Sequence, residues 1–164
     1  MSVNNKLHLP PLSLYVHIPW CVQKCPYCDF NSHKADANLP EAEYIDALLT
    51  DLDRDLIWVQ GRDIQSIFFG GGTPSMMDPD LVDAVMTQIR ATWSTSNTME
   101  VTLEANPTSV EAGRFAGYRD AGVNRVSMGV QALNDPDLKV LGRLHSVQEA
   151  MTAFDIARDV FDRV

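Results

Sequence analysis

Short apolar runs alternate with longer amphipathic stretches along the chain. The apolar runs cover residues 13–18, 66–69, 99–104 and 125–129, and their β-prone side chains favour strands. The amphipathic stretches have apolar residues three or four positions apart, the spacing of one helix face. They cover residues 40–59, 81–93, 110–121, 135–141 and 147–161. This order predicts four strands, each followed by at least one helix.

Local signals mark the ends of several predicted helices. Pro40 suits the first turn of the first helix, and Asp78 or Asp80 is placed to cap the second. Gly122 is placed to end the third helix. The first helix has a clear apolar face, formed by Tyr44, Ile45, Leu48, Leu49, Leu52 and Leu56.

Strands that alternate with helices imply parallel βα units with right-handed crossovers. We therefore predict an α/β fold, made of about four βα units from the amino-terminal part of a TIM-like (β/α) barrel. A closed barrel needs eight strands, so residues 1–164 are expected to form one core domain that is incomplete at the carboxy end. Such a piece should leave the outer edge of its fourth strand unpaired.

Composition excludes several classes of function. The chain has 22 acidic against 13 basic residues, a formal charge of −9, and no Lys/Arg run, so we expect no nucleic-acid partner. The first 20 residues contain no apolar run long enough for a signal-peptide core or a membrane span. We therefore expect a cytoplasmic protein without a transmembrane segment.

All three cysteines lie within the eight residues CVQKCPYC, at Cys21, Cys25 and Cys28. An odd number of closely spaced thiols is a poor disulfide framework and a good metal site. Three thiolates can hold three irons of a [4Fe-4S] cluster and leave the fourth iron open. The alternative is a zinc site, for which His17 or His33 would have to supply a fourth ligand. A ferredoxin-type site would need a fourth cysteine.

Further polar and glycine-rich positions follow the other predicted strands, where parallel barrels place their active-site loops. GGGTP, residues 70–74, suits close approach of backbone to a ligand, and equally suits a tight turn. Glu104 and Gln131 follow the third and fourth strands and should reach the same face, although either alone could be the wet end of a strand. Arg143 is suited to clamp an anionic group, but by itself it is more typical of a solvated helix.

At CVQKCPYC the sequence resembles the radical S-adenosylmethionine (SAM) superfamily, whose hallmark is CxxxCxxC after the first strand of a partial barrel. The resemblance implies a [4Fe-4S] cluster on Cys21, Cys25 and Cys28, with SAM bound to the open iron through its amino and carboxylate groups. In that family a reduced cluster cleaves SAM to methionine and a 5′-deoxyadenosyl radical. The family's glycine-rich segment contacts the amino group of SAM, which implies that role for Gly71, Gly72 and Thr73.

The motifs LYVHIPWC, CPYCDF, FFGGGTPS, EVTLEANP, RVSMGVQALND and GRLH together resemble one branch of the superfamily. This branch contains the oxygen-independent coproporphyrinogen III oxidases and the related HemW-type heme chaperones, and the resemblance covers residues 12–145. Members of the branch continue beyond this length, with further barrel strands and a carboxy-terminal domain. The resemblance implies SAM contacts at Tyr15, Tyr27, Gly71, Gly72, Thr73, Glu104, Gln131 and Arg143.

One position separates the two kinds of protein within the branch. The oxidases carry a further cysteine two residues after the third cluster ligand, and this chain has Phe30 there. The departure favours the heme-chaperone type, with heme or porphyrin as partner and an acceptor protein and electron donor that the sequence does not identify. The oxidase, and a cluster- or heme-binding fragment without catalysis, stay open as alternatives. The sequence singles out no catalytic acid or base, and no heme ligand among His8, His17, His33 and His145.

Overall fold

The computed structural model describes residues 9–36, 38–59 and 61–164, without the side chains of residues 109 and 110. Its main feature is a four-stranded parallel sheet. The strands are β1 (Leu12–Ile18), β2 (Trp20–Cys21), β3 (His33–Lys34), β4 (Ile64–Gly71), β5 (Thr95–Ala105) and β6 (Arg125–Met128). The helices are α1 (Glu41–Val59), α2 (Pro79–Thr92), α3 (Ser109–Ala112), α4 (Phe115–Asp120), α5 (Asp135–Val140) and α6 (Val147–Val160).

The main sheet has the order β1-β4-β5-β6, and every neighbouring pair is parallel. The four predicted strands therefore lie side by side in the order in which they occur along the chain. The register places Ile67 beside Val101 and Leu103 beside Val126, and each of these side chains is at most 1% exposed. Their burial explains the apolar residues that mark the predicted strands.

The helices pack against one another in chain order. Helix α1 contacts α2, α2 contacts α4, and α4 contacts α6. This succession is the one expected when every crossover has the same hand, as in a (β/α) barrel. The core between helices and sheet contains Ile18, Phe69, Met86, Phe115 and Tyr118. The predicted α/β arrangement is therefore confirmed.

The prediction of one continuous third helix over residues 110–121 is wrong. The structure has α3 and α4 in its place, separated by Gly113 and Arg114. The guanidinium of Arg114 donates to the backbone carbonyl of Met76, and it holds the chain in this position against a preceding loop. Glycine adds little to helix stability, so a tertiary contact can break the helix there. Gly122 follows with a φ of 105°.

The other element boundaries lie close to prediction. Asp78, one of the two proposed caps, accepts a hydrogen bond from the backbone nitrogen of Asp80 at the start of α2. Strand β5 is longer than predicted and begins at Thr95. The sequence did not predict the two-residue pairing of β2 with β3, which lies outside the main sheet.

The outer edge of β6 is partly paired. Arg163, after α6, forms a parallel bridge with Arg125, and the Val126 nitrogen donates to the Arg163 carbonyl at 3.1 Å. The expectation of a wholly unpaired edge is therefore wrong at its first residues, because the chain returns to the sheet beside β6. Among the described residues, no helix combines the length and apolar character needed to cross a membrane.

Candidate metal and cofactor site

A cavity of about 630 Å³ opens at the carboxyl ends of the four parallel strands. Its walls come from the loop after β1, the glycine-rich segment after β4, the ends of β5 and β6, and residues 142–145. Ten of the eleven predicted site residues line it: Cys21, Cys25, Tyr27, Cys28, Gly71, Gly72, Thr73, Glu104, Gln131 and Arg143. The structure therefore brings together residues that are more than 100 positions apart in the chain.

Tyr15 is the predicted site residue that does not line the cavity. Its side chain is 56% exposed, stacks on Phe68 and places its hydroxyl 2.9 Å from Nδ1 of His17. Partial burial raises the pKa of the Tyr15 hydroxyl, and the nearby carboxylate of Glu104 adds to the increase. Tyr15 thus lies beside the cavity residues, with its hydroxyl engaged by a neighbouring histidine.

The cysteine-bearing loop is closed at its base by backbone hydrogen bonds. Strand β2 pairs with β3, and the nitrogen of Ala35 donates to the carbonyl of Cys21 at 2.8 Å. Within the loop, Nζ of Lys24 donates to the carbonyls of Phe30 and Ser32 at 3.2 and 3.1 Å. These bonds hold the loop as a compact unit, and all three of its cysteines line the cavity.

The three thiols are free, with Cys21 buried and Cys25 and Cys28 half-buried. Among residues 9–36, 38–59 and 61–164, no three His, Cys, Asp or Glu side chains converge on a single ion position. A structural zinc site would need four convergent ligands. Both ring nitrogens of His17 are also engaged, Nδ1 with Tyr15 and Nε2 with the carbonyl of Asn31 at 2.8 Å.

A [4Fe-4S] cluster places a different requirement on the same loop. Each thiolate binds its own iron, so the three sulfurs surround the cluster and need not converge on one point. Three free thiols on one cavity wall meet this requirement, and soft thiolates are the ligands that such clusters take. The donor set of the loop therefore fits the cluster that the sequence predicts.

The glycine-rich segment is joined directly to the cysteine loop. The nitrogen of Gly72 donates to the Ile18 carbonyl at 2.6 Å, and that of Thr73 donates to the Trp20 carbonyl at 2.7 Å. A Cβ atom at Gly72 would lie 2.5 Å from the Trp20 carbonyl oxygen and 3.0 Å from Sγ of Cys21. Residue 72 must therefore be glycine for the two segments to approach this closely.

Glu104 and Gln131 reach the cavity from the ends of β5 and β6. Burial raises the pKa of the Glu104 carboxyl, and a hydrogen bond from the Gly71 backbone partly opposes the increase. Gln131 is exposed and has a φ of 68°, the left-handed conformation that non-glycine residues rarely adopt. The turn after β6 therefore departs from an ordinary strand end at the residue that the sequence analysis selected.

Arg143 is half-buried at the centre of the site and follows α5, so it is not a solvated helix residue. One nitrogen, Nη1, donates to Sγ of Cys25 at 3.3 Å and to the Tyr27 hydroxyl at 3.4 Å. The other, Nη2, donates to Oδ1 of Asn106 at 2.5 Å and to the Gly129 carbonyl at 3.0 Å. Its Nε is buried and has no partner in the described part of the chain. The guanidinium thus brings a positive charge to the cysteine wall, and neighbouring protein groups hold both of its terminal nitrogens.

A model of the radical SAM superfamily matches residues 15–164, which include every predicted site residue. The chain belongs to this superfamily. The superfamily's cysteine motif and the cavity at the carboxyl ends of the strands therefore coincide in this radical SAM chain.

Several curated relatives of this radical SAM chain are heme chaperones. "Heme chaperone HemW" of Escherichia coli (strain K12) is 52% identical over 149 residues, which cover 91% of this chain and 39% of the relative. "Heme chaperone HemW" of Bacillus subtilis (strain 168) is 36% identical over 149 residues, 90% of this chain and 39% of the relative. The chain thus spans about two fifths of the length of these relatives.

Solved structures show the same fold. The radical SAM enzyme coproporphyrinogen III oxidase (HemN) from Escherichia coli superposes with a TM-score of 0.83 at 28% identity, over 92% of this chain and 35% of HemN. The cobalamin-dependent SAM radical enzyme OxsB superposes with a TM-score of 0.60 at 12% identity, over 92% of this chain and 23% of OxsB. The chain therefore corresponds to part of a radical SAM barrel.

Sequence reasoning did not select several residues that the structure places in the cavity wall of this radical SAM chain. Asn106, Glu111, Ser75 and His145 line it, and all but Asn106 are at most 6% exposed. Asn106 lies in the loop directly after β5, and this position could have identified it from the sequence as a site residue. Glu111 and Ser75 resemble ordinary helix and turn residues in sequence, so only the packing of α3 against the glycine-rich segment reveals them.

Proposed function

We propose that this chain holds a [4Fe-4S] cluster on Cys21, Cys25 and Cys28 and binds SAM in the adjoining cavity. Support comes from the superfamily match, from the three free thiols at the cavity, and from the polar groups that line the same cavity. When bound, the cluster would supply the electron for reductive cleavage of SAM. The protein's part is to hold the cofactor, orient it and keep water away.

The cavity offers complementary groups for both ends of an amino acid. The guanidinium of Arg143 fits a carboxylate, while the Glu104 carboxylate and the backbone of Gly71, Gly72 and Thr73 suit an ammonium group and close contact. Tyr27 and Gln131 line the same space. Tyr15 stays a prediction of the family resemblance, because its side chain lies outside the cavity lining.

We further propose that the protein is a heme chaperone of the HemW type, with heme as its cargo. The observation that carries this proposal is the 52% identity to "Heme chaperone HemW" of Escherichia coli, against 28% to HemN. Phe30 adds support, because it is exposed at the cavity where the oxidases have a cysteine. We do not propose the oxidase activity, although this chain and HemN share the same fold. The heme ligand stays unassigned, and His8 lies outside the described residues.

Two assays on the anaerobically reconstituted protein test the choice. Added heme should produce a Soret band, and after incubation with a heme-free acceptor protein and separation of the two proteins the band should be found on the acceptor. Coproporphyrinogen, supplied with SAM and a reductant, should be recovered unchanged. Formation of vinyl-bearing protoporphyrinogen would contradict the chaperone proposal and support the oxidase. Absence of a Soret band would contradict heme binding by this chain.

A further inference from the structure

A partly buried polar network lies behind Arg143, centred on the side chain of Asn106. Its Oδ1 accepts the hydrogen bond from Nη2 of Arg143 at 2.5 Å. Its Nδ2 donates to Oγ1 of Thr73 at 3.3 Å and to Oε1 of Glu111 at 3.4 Å. One amide therefore joins the arginine of the cavity to the glycine-rich segment.

The chemistry of the neighbours determines which way this amide points. A guanidinium has donors only, so the atom that faces Arg143 must be the amide oxygen. The opposite atom faces a hydroxyl oxygen and a carboxylate oxygen, which suits the NH₂ group. An aspartate would lose both donors and place a second negative charge beside Glu111. A leucine of similar size would leave Arg143 without an acceptor at this point. Asparagine satisfies both sides of the network.

Glu111 fixes the network to the glycine-rich segment from the other side. Its side chain is buried, and Oε2 accepts hydrogen bonds from the Ser75 hydroxyl and, at 2.6 Å, from the Asn106 backbone nitrogen. Tyr118 strengthens the same region, because its hydroxyl lies 2.8 Å from the carbonyl oxygens of both Ser75 and Met77 and shares its one proton between them. The short helices α3 and α4 thus hold the turn after GGGTP.

We propose that Asn106 is a positioning residue for cofactor binding: through its amide it fixes the Arg143 guanidinium against the Cys25 wall and keeps the Thr73 segment beside it. The inference rests on the proposed binding of SAM in this cavity. Arginine has large rotamer freedom, so a guanidinium that is already held loses less entropy when it binds a carboxylate. Asn106 acts through Arg143 and the Thr73 segment, without contact to the reacting atoms.

The matched control for Asn106 is Asn124, whose amide also uses both its oxygen and its nitrogen in hydrogen bonds, here with the backbone of β5. Its Oδ1 accepts from the Val101 nitrogen at 2.9 Å, and its Nδ2 donates to the Met99 carbonyl at 2.9 Å. Asn124 is not among the residues that line the cavity. Asn106→Ala and Asn124→Ala therefore each remove one bridging amide, but only the first removes a contact to the site.

The first experiment measures SAM binding to the reconstituted protein by titrating the electron paramagnetic resonance signal of the reduced cluster. Asn106→Ala should leave iron content unchanged and raise the Kd for SAM about tenfold, equivalent to about 1.4 kcal/mol. Asn124→Ala should lower the unfolding midpoint and leave that Kd unchanged. Adding Asn106→Ala to Arg143→Ala should raise the Kd by less than Asn106→Ala does alone, because the part of the effect that passes through Arg143 is already lost. An unchanged Kd in Asn106→Ala, or additive losses in the double variant, would overturn the proposal.

A second experiment needs no cofactor. Hydrogen exchange of the cluster-free protein should speed up in segments 70–77 and 142–146 of Asn106→Ala, and not in those of Asn124→Ala. Unchanged exchange in both segments of Asn106→Ala would refute the positioning role. If wild-type protein binds no SAM while the exchange result is as expected, the proposed function fails, and the structural link between Asn106 and Arg143 survives.

Discussion

At the scale of single residues, the three cysteines are not equivalent. Cys21 is buried beside the glycine-rich backbone, Cys25 accepts a hydrogen bond from Arg143, and Sγ of Cys28 lies 4.0 Å from the Ser32 hydroxyl. Hydrogen bonds to cluster sulfurs are one of the factors that set the reduction potential of an iron-sulfur centre. Each thiol of the proposed cluster therefore has its own protein environment.

Replacing any one of these cysteines should abolish stable cluster binding. In Cys25→Ser the hydroxyl is a harder and poorer ligand for the iron of such a cluster, and the two remaining thiols are too few. We expect at least a tenfold loss of iron and acid-labile sulfide per chain after anaerobic reconstitution. Asp29→Asn, an exposed change in the same loop, should retain both. A Cys25→Ser protein with wild-type iron would contradict the ligand assignment.

His145 provides a pH-dependent contribution to stability. It is only 5% exposed, and burial lowers its pKa from 6.5, although its hydrogen bond to the Val130 carbonyl opposes the change. Between the lowered folded pKa and 6.5 the unfolded chain binds more protons at this site than the folded chain. The free energy of unfolding should therefore fall as the pH decreases below 6.5.

His145→Gln removes this titrating group. Urea unfolding at several pH values should show a flatter decline below pH 6.5 in the variant than in the wild type. The comparison uses the slope with pH, so a constant stability loss caused by the substitution does not affect it. Equal slopes in the two proteins would show that His145 is not the group responsible.

At the scale of elements, the turn that ends β4 depends on glycine. Gly71 has a φ of 115°, and a Cβ there would lie 2.7 Å from the His17 ring and 2.8 Å from the Ile18 carbonyl oxygen. Gly61 also has a positive φ, 71°, but among the described residues no atom lies within 4 Å of the position that its Cβ would take. A comparison of alanine substitutions at these two positions therefore distinguishes the cost of backbone strain from the cost of steric conflict.

Alanine at these two positions should have different effects on the free energy of unfolding. Gly61→Ala should cost about 1 kcal/mol, the strain of a left-handed residue. Gly71→Ala should cost at least about 3 kcal/mol, because the strain is joined by contact with fixed neighbours. Urea denaturation of both variants measures the difference. Equal losses would mean that the β4 turn relaxes freely around an added methyl group.

The pattern of apolar and polar residues was sufficient to predict the elements whose secondary structure is determined by their own residues. Buried strands such as β4 and amphipathic helices such as α2 carry their signals within their own sequence. The break between α3 and α4 was not predictable in this way, because it depends on Arg114 bonding to a carbonyl 38 residues earlier. The pairing of β2 with β3 was also missed, since two residues are too few for a periodic pattern.

The site residues also differ in whether their own sequence context was enough to predict them. Short-range motifs indicated the cysteines and the glycine-rich segment, and the family resemblance added residues such as Tyr27 and Arg143. Asn106 and Glu111 were missed because their role depends on three segments meeting in space. The resemblance also indicated Tyr15, whose side chain lies outside the cavity lining, and its contact with SAM stays a prediction.

At the scale of the whole molecule, the parallel sheet explains how such distant residues form one site. Parallel strands connected by helices place all their carboxyl ends at the same edge, where the loops meet. Arg143 and Cys25 are 118 residues apart in sequence and hydrogen-bonded in the fold. The acidic chain, with a formal charge of −9, nevertheless places this arginine at the cysteine wall. A local positive charge suits a site for an anionic group.

The central claim is that this cavity binds a [4Fe-4S] cluster together with SAM. The most direct test is anaerobic reconstitution with iron and sulfide, reduction with dithionite, and electron paramagnetic resonance with and without SAM. We predict a [4Fe-4S] signal that changes when SAM is added, because one iron of the cluster remains open to it. Absence of a cluster, or a cluster signal that is the same with and without SAM, would contradict the account.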